Sequence, residues 1–144
     1  MPIELTEEMA ENVNTARLRG KSCTLATASL DGWPSVGYRG SMMVFDKDHL
    51  AYWERSRRDG LAHIRENPKV TVMYRDNETK VGWKFYGRTV IHEGDEVMDQ
   101  VWDRVLDVEK RADAEKQGLA VLIEIDYVET FSGEKLQERD GVEG

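Results

Sequence analysis

The sequence predicts a mainly β protein, a six-stranded antiparallel barrel with helices packed against its outside. Three observations carry this. Segments with strand-like alternation recur along the 144 residues, turn-forming pairs such as Asp31-Gly32 join several of them as hairpins, and only three segments show helical spacing. The expected order is helix, three strands, short helix, two strands, long helix, strand. A hairpin-rich chain protects its sheet edges by curling into a closed barrel. With 40% hydrophobic and 33% charged residues there is material for one ordinary core. We therefore expect one domain over residues 1–131, followed by a loose polar tail over 132–144.

Residues 6 to 19 read as a helix, because Thr6 suits the cap, Glu7 and Glu8 suit the positive end, and Met9, Val13 and Ala16 recur at helical spacing. Gly20 ends it. A strand from Lys21 to Leu30 meets the Asp31-Gly32 turn, and a second strand runs through SVGYRGSMMVF, where Gly37 and Gly40 mark a bulge or a close approach of backbone to a ligand. Asp46 to Asp48 turns the chain into a third strand, HLAYWE. The basic segment Arg55-Ser56-Arg57-Arg58 leads into a short helix at 59–66, with Leu61 and Ile64 on its buried face and Asn67-Pro68 stopping it.

KVTVMYR then resumes strand periodicity, with Val70, Val72 and Tyr74 on one side. After the turn DNETK, the stretch VGWKFYGRTVIHEG forms its long antiparallel partner, bent at Gly87. A long helix begins at Asp95. Val97, Val101 and Val105 and then Met98, Trp102 and Leu106 form two rows on one face, and Gly118 closes it. LAVLIEIDYVETF is the last strand, with Leu119, Val121, Ile123, Ile125 and Tyr127 on its inward side.

Composition excludes several functional classes. Twenty Lys and Arg against 28 Asp and Glu leave a net charge of -8, which repels nucleic-acid backbones. The amino terminus is acidic and no apolar run reaches the roughly 18 residues of a membrane span, so neither secretion nor membrane insertion is expected. A lone Cys23 fits a reducing cytoplasm and, in an apolar strand, an inert buried thiol. His49, His63 and His92 lack zinc-ligand spacing, and no metal site is nominated. No Walker loop, GxSxG elbow or GxGxxG turn is present, and the paired carboxylates Glu7-Glu8 and Asp95-Glu96 belong to helix starts.

Two constellations carry chemistry. Arg39 in a strand, with Arg55, Arg57 and Arg58 before a helix, would form a local anion site, because guanidinium groups grip phosphate in pairs of hydrogen bonds and helix-start amides add donors. The competing reading pairs these charges with Glu54, Asp59 or Glu66 as solvated loop residues. Trp33, Tyr38, Tyr52, Trp53, Trp83 and Phe85 would supply a flat apolar wall for a conjugated ring; the competing reading places each in the core.

The segments carrying these residues resemble the pyridoxamine 5'-phosphate oxidase-like family of FMN-binding split barrels. LATASLDGWPSVGYRG is similar to that family's opening hairpin, AYWERSRRDGLAHIRENPKVTVMY to its next strand, basic segment and short helix ending in Asn-Pro, and FYGRTVIHEG to its following strand. The resemblance implies that Arg39 contacts the flavin phosphate region and that the backbone of Gly40, Ser41 and Met42 runs beside the isoalloxazine ring. It places Trp53 and Glu54 at the strand end near the ring, and Ser56, Arg57 and Arg58 in the phosphate-binding cluster. One departure stands out: counted back from Asn67-Pro68 without gaps, Asp59 and Gly60 fall where the oxidases proper carry their Arg-Lys pair. The short chain and a tail without the substrate-binding Arg-His pattern likewise argue against an oxidase acting on pyridoxamine phosphate.

The resemblance further implies a homodimer with two FMN sites at the subunit interface, and hydride transfer between the flavin and a small organic substrate or a nicotinamide. Because flavin chemistry resides in the ring, no catalytic acid or base is nominated. Two alternatives remain: a non-catalytic flavin-binding sensor module on the same barrel, or a relative that uses deazaflavin or handles haem.

Overall fold

The computed structural model describes residues 2–56 and 59–141. The amino-terminal helix α1, Glu7–Thr15, is capped by Thr6: its hydroxyl accepts from the Met9 amide at 3.1 Å, and the Met9 sulfur accepts from the Thr6 amide. A 3-10 turn, Arg17–Arg19, ends at Gly20, whose φ of +72° closes it. Strands β1 (Cys23–Ala28) and β2 (Pro34–Arg39) then pair antiparallel, from Cys23 opposite Arg39 to Ala28 opposite Pro34. At their turn the Ser29 carbonyl accepts from the Gly32 amide and the Ser29 amide donates to Trp33, with Gly32 at φ +92°. That left-handed position is why a glycine follows Asp31.

The expected second strand is two strands. The Met42 amide donates to the Arg39 carbonyl, turning the chain at residues 40–42, and β3 (Met43–Asp46) leaves β1 to pair with β4 (His49–Glu54). Helix α2 spans Asp59–Glu66 with Leu61 and Ile64 buried, followed by β5 (Lys69–Asp76) and β6 (Val81–His92). The expected long helix is also two: α3 (Glu96–Arg104) and α4 (Asp107–Ala112), separated by Val105 and Leu106 in extended conformation. Arg104 donates to the Val44 and Phe45 carbonyls, and Val105 is buried under the sheet, so the chain is anchored where α3 ends. Strand β7 is Leu119–Thr130.

The expected loose tail carries an eighth strand, β8 (Lys135–Glu138), antiparallel to β7. β4 covers only the Leu119–Glu124 half of β7 on that side, and β8 covers the remaining open edge. Gln137 exchanges two hydrogen bonds with the backbone of Glu4, tying the tail to the amino terminus.

The sheet runs β2-β1-β5-β6-β7-β4-β3, with β8 beside β7. Its two end strands, β2 and β3, are consecutive in the chain yet unpaired, so the barrel is split where residues 40–42 bridge them. β4 and β7 are covered on both faces. Leu50, Tyr52, Leu119, Val121, Ile123 and Ile125 enter the barrel core, while Ala51, Trp53, Ala120 and Leu122 join Val101 and Val105 in an outer cluster beneath α3. Double coverage explains the unbroken apolar run LAVLI. Past Ile125 the alternation slips: Tyr86 faces Tyr127 while Gly87 faces Ile125, leaving Asp126 as an extra residue. Val128 therefore enters the core in place of the expected Tyr127, which stacks outside on Tyr86 at 4.3 Å.

Candidate functional site

The split gathers part of the sequence-selected set. Arg39 is the last residue of β2 and lies on its inward-facing row with Ser35 and Gly37. Its Nε donates to Glu54 Oε2 at 3.2 Å and its Nη1 to the Tyr38 carbonyl at 2.9 Å. Nη2 lies against Gly60 in the first turn of α2, where a β-carbon would come within 2.5 Å of it. Glu54, the last residue of β4, is 4% exposed. Burial pushes its carboxyl above the ordinary range, while the Arg39 and Arg55 charges and the Arg39 hydrogen bond oppose that shift. Tyr52, two residues earlier, is fully buried, and its hydroxyl has no hydrogen-bond partner of good geometry among the described residues. Burial and the Glu54 charge raise its phenol, against the nearby guanidinium of Arg39, which lies 5.8 Å from the ring centroid.

The Ser41 side chain ties the β2-β3 bridge to β4. Its hydroxyl accepts from the Trp53 amide at 2.8 Å and donates to the Trp53 carbonyl at 3.2 Å. The Trp53 ring points to the outer cluster, 4.8 Å from Trp102, and its Nε1 donates to Asp113 at 2.8 Å. Gly40 lies under Glu109 of α4, which pairs with Arg17 at 3.4 Å; any side chain at Gly40 would strike both. Arg39, Gly40, Ser41, Trp53, Glu54 and Ser56 thus line one cavity of about 190 Å³, together with Tyr38, Arg55, Gly60 and Glu109. A larger groove of about 620 Å³ between β2 and α2 shares Arg39 and Gly60 with it.

Met42 is turned away into the barrel core. Arg57 and Arg58 lie outside the described residues. The six aromatic residues do not make one wall: Tyr52, Trp83 and Phe85 are core, Trp53 belongs to the outer cluster, and Trp33 and Tyr38 are exposed. Gly60 and Glu109 were not selected from sequence. Gly60 carries its signal in position, one residue into a helix that follows a basic loop; Glu109, on a solvated-looking helix far along the chain, carries none. Cys23 is buried and its thiol is pushed up to about 12 by burial, against the charge of Arg19, which leaves it inert.

The family model described as pyridoxamine 5'-phosphate oxidase matches residues 5–132. The chain belongs to the pyridoxamine 5'-phosphate oxidase family. Among solved structures it is similar to a candidate pyridoxamine 5'-phosphate oxidase from Lactobacillus delbrueckii, at 26% identity over 87% of this chain and 93% of that one, with a TM-score of 0.63. HupZ from Group A Streptococcus shares the fold at 22% identity, 92% and 98% coverage and a TM-score of 0.69. An FMN-binding protein from Syntrophomonas wolfei does so at 14% identity, 84% coverage of each chain and a TM-score of 0.66. No curated protein matches. For this oxidase-family chain the split barrel is accordingly the established architecture, and the cavity at its split is the place to test for a ligand. No helix among the described residues is long and apolar enough to cross a membrane.

The donor set fits an anionic ligand tail. Arg39 is pinned at two of its three nitrogens with the third against Gly60 of α2, and Ser56 and Arg55 line the same wall. Glu54 and Glu109 set a limit on this, because both carboxylates face the cavity and work against a second negative charge.

Proposed function

We propose that this chain is an FMN-dependent oxidoreductase acting on a small organic substrate. The observation that carries the reading is the placement of Arg39 at the barrel split, held by Glu54 and packed against Gly60 of α2, within a chain of the pyridoxamine 5'-phosphate oxidase family. Arg39, Ser56 and the α2 amino terminus would hold the FMN phosphate, and the backbone of Gly40 and Ser41 would run beside the ring. FMN supplies the hydride acceptor and donor, with a reduced nicotinamide as the proposed reductant. The chain's own residues bind and orient: Ser41 fixes the spacing of the β2-β3 bridge from β4, and Glu54 fixes the direction of Arg39.

The working unit in this reading is a homodimer. The split cavity of about 190 Å³ runs into the groove of about 620 Å³ between β2 and α2, and walls from a second subunit would close this open site around a ligand. β2 presents Val36 and Tyr38 at 69% and 77% exposure, beside Trp33 at 72%, an apolar strip suited to burial against another copy.

The test is a visible absorption spectrum of the purified chain with FMN, deazaflavin and haem in turn, followed by anaerobic addition of NADH or NADPH. The account expects FMN to be retained and its visible band to bleach with reductant and return with acceptor. FMN retained without bleaching assigns a sensor module instead, and retention of only deazaflavin or haem overturns the FMN reading.

A further inference from the structure

Among the described residues, Glu109 is the only one lining the split cavity that comes from outside residues 38–60. It arrives on α4, a six-residue helix with no buried residue. Polar ties fix the chain on either side of that helix. Arg104 holds the Val44 and Phe45 carbonyls before it, and after it Asp113 accepts from the Trp53 indole and the Gly118 amide, each at 2.8 Å. The side chain so delivered is a carboxylate set against the bare backbone of Gly40, in the room a β-carbon would fill.

The described charges in the cavity wall are unevenly matched. Arg39 and Glu54 neutralise each other at 3.2 Å, and the charge of Arg55 acts on Glu54 and Asp113. The described ion pair of Glu109 is with Arg17, which does not line the cavity and reaches the carboxylate from outside it. That contact, Nε to Oε1 at 3.4 Å, is longer than the roughly 2.7–2.9 Å of a close charge-assisted hydrogen bond. The Arg17 side chain is 42% exposed and that of Glu109 15%, so solvent screens the cation far more than the carboxylate.

We propose that Glu109 is a specificity-determining residue of this site: its carboxylate holds negative charge beside the flavin ring, so that the substrate group meeting the ring is uncharged or cationic and anionic groups are turned away. The inference rests on the FMN reading, in which the ring runs beside Gly40. The same charge opposes the gain of negative charge by the ring on reduction, and so lowers its potential. The ring of a reduced nicotinamide is uncharged and falls within the accepted class.

The test compares the FMN-loaded chain with its Glu109→Gln variant, which keeps the side-chain shape and removes the charge. Reoxidation of the photoreduced protein is followed by stopped flow with ferricyanide as an anionic acceptor, hexaammineruthenium as a cationic one and p-benzoquinone as an uncharged one. In the variant the ferricyanide rate should rise about threefold or more and the hexaammineruthenium rate fall by a similar factor at low salt. Both changes should fade at high salt, with the quinone rate unmoved. A redox titration reads the same charge at equilibrium: reduced FMN should gain about tenfold in affinity over oxidised FMN, about 30 mV for a two-electron couple. A parent chain that retains no FMN overturns the flavin reading and this inference with it. If the parent holds FMN and the variant moves the three rates alike, or leaves the potential unchanged, the inference alone is overturned. Should Glu109→Gln fail to fold, Arg17→Gln decides the question, because it leaves the carboxylate without that cation: slower ferricyanide and faster hexaammineruthenium uphold the role, and unchanged rates overturn it.

Discussion

Arg39 and Glu54 form an ion pair across the barrel split, Nε to Oε2 at 3.2 Å, in which the carboxylate is almost wholly buried and the guanidinium reaches the cavity. The pair does two jobs at once. It neutralises a charge that burial would otherwise make costly, and it aims a cation at the first turn of α2.

Arg39→Ala is expected to destabilise the fold by about 3 kcal/mol near neutral pH, because it strands a buried carboxylate. The sign of the pH dependence follows from Glu54. Burial already holds its folded-state pKa above the unfolded one, and losing Arg39 raises it further. Such a group favours the folded state most at pH below its unfolded pKa and loses that contribution as pH rises through the folded value. The variant's deficit should therefore shrink as pH falls into the carboxylate range and grow toward neutrality. Urea unfolding of both proteins at several pH values reads this; a deficit independent of pH would contradict it.

A methyl group should cost far more at the β-bulge glycine than at the glycines of the split. A β-carbon at Gly87 would strike the Glu124 carbonyl and Ile123, which the β6-β7 pairing holds in place, so Gly87→Ala should cost about 3 kcal/mol. At Gly40 it would meet the flexible ends of Glu109 and Arg17, and at Gly60 the end of Arg39. Gly40→Ala and Gly60→Ala should each cost about 1 kcal/mol or less, while Gly60→Ala weakens FMN by displacing the guanidinium. Thermal melts alongside flavin titrations separate the two classes.

Asp113 locks the end of β4 to the loop before β7. Partial burial pushes its carboxyl upward, but the Trp53 indole and the amides of Gln117 and Gly118 outweigh that and hold it below the usual range. The stability this contributes is present above the unfolded pKa and is lost as pH falls through the folded one. Asp113→Ala should cost about 1.5 kcal/mol at neutral pH, with a change in Trp53 fluorescence, and much less in acid. Equal losses at both pH values would count against this role.

The exposed β2 strip predicts association. Analytical ultracentrifugation should give twice the 16.5 kDa chain mass for the parent and the chain mass for Trp33→Lys with Val36→Lys. A monomeric parent, or a variant that remains dimeric, would contradict the shared-site reading.

Local signals carried much of the fold. The Thr6 cap, the Gly20 stop, the bounds of α2 between a basic loop and Asn67-Pro68, and the Leu119 to Ile125 alternation all hold because each depends on residues close in sequence. The breaks were illegible for the opposite reason. Met42 and Met43 are both buried, one in the barrel core and one under α3, so SVGYRGSMMVF shows no polar gap at the turn between β2 and β3. The extended residues Val105 and Leu106 are apolar at helical spacing, and only the distant Val44 and Phe45 carbonyls anchor the chain where α3 ends. β8 is polar because it covers an edge, not a face. At the site, Arg39 and Trp53 could be selected by pattern and Ser41, Glu54 and Ser56 only through the family resemblance, whereas the covering of Gly40 by Glu109 is a tertiary contact with no local trace.

The most direct test is the affinity of FMN for the parent chain and for Arg39→Gln, which keeps a hydrogen-bonding side chain beside Glu54, measured by flavin fluorescence quenching at fixed salt and neutral pH. The account predicts stoichiometric binding by the parent, one FMN per chain, and a loss of about tenfold or more in the variant with its fold intact by circular dichroism. Absence of FMN binding by the parent, or equal affinity in a folded Arg39→Gln protein, would contradict it.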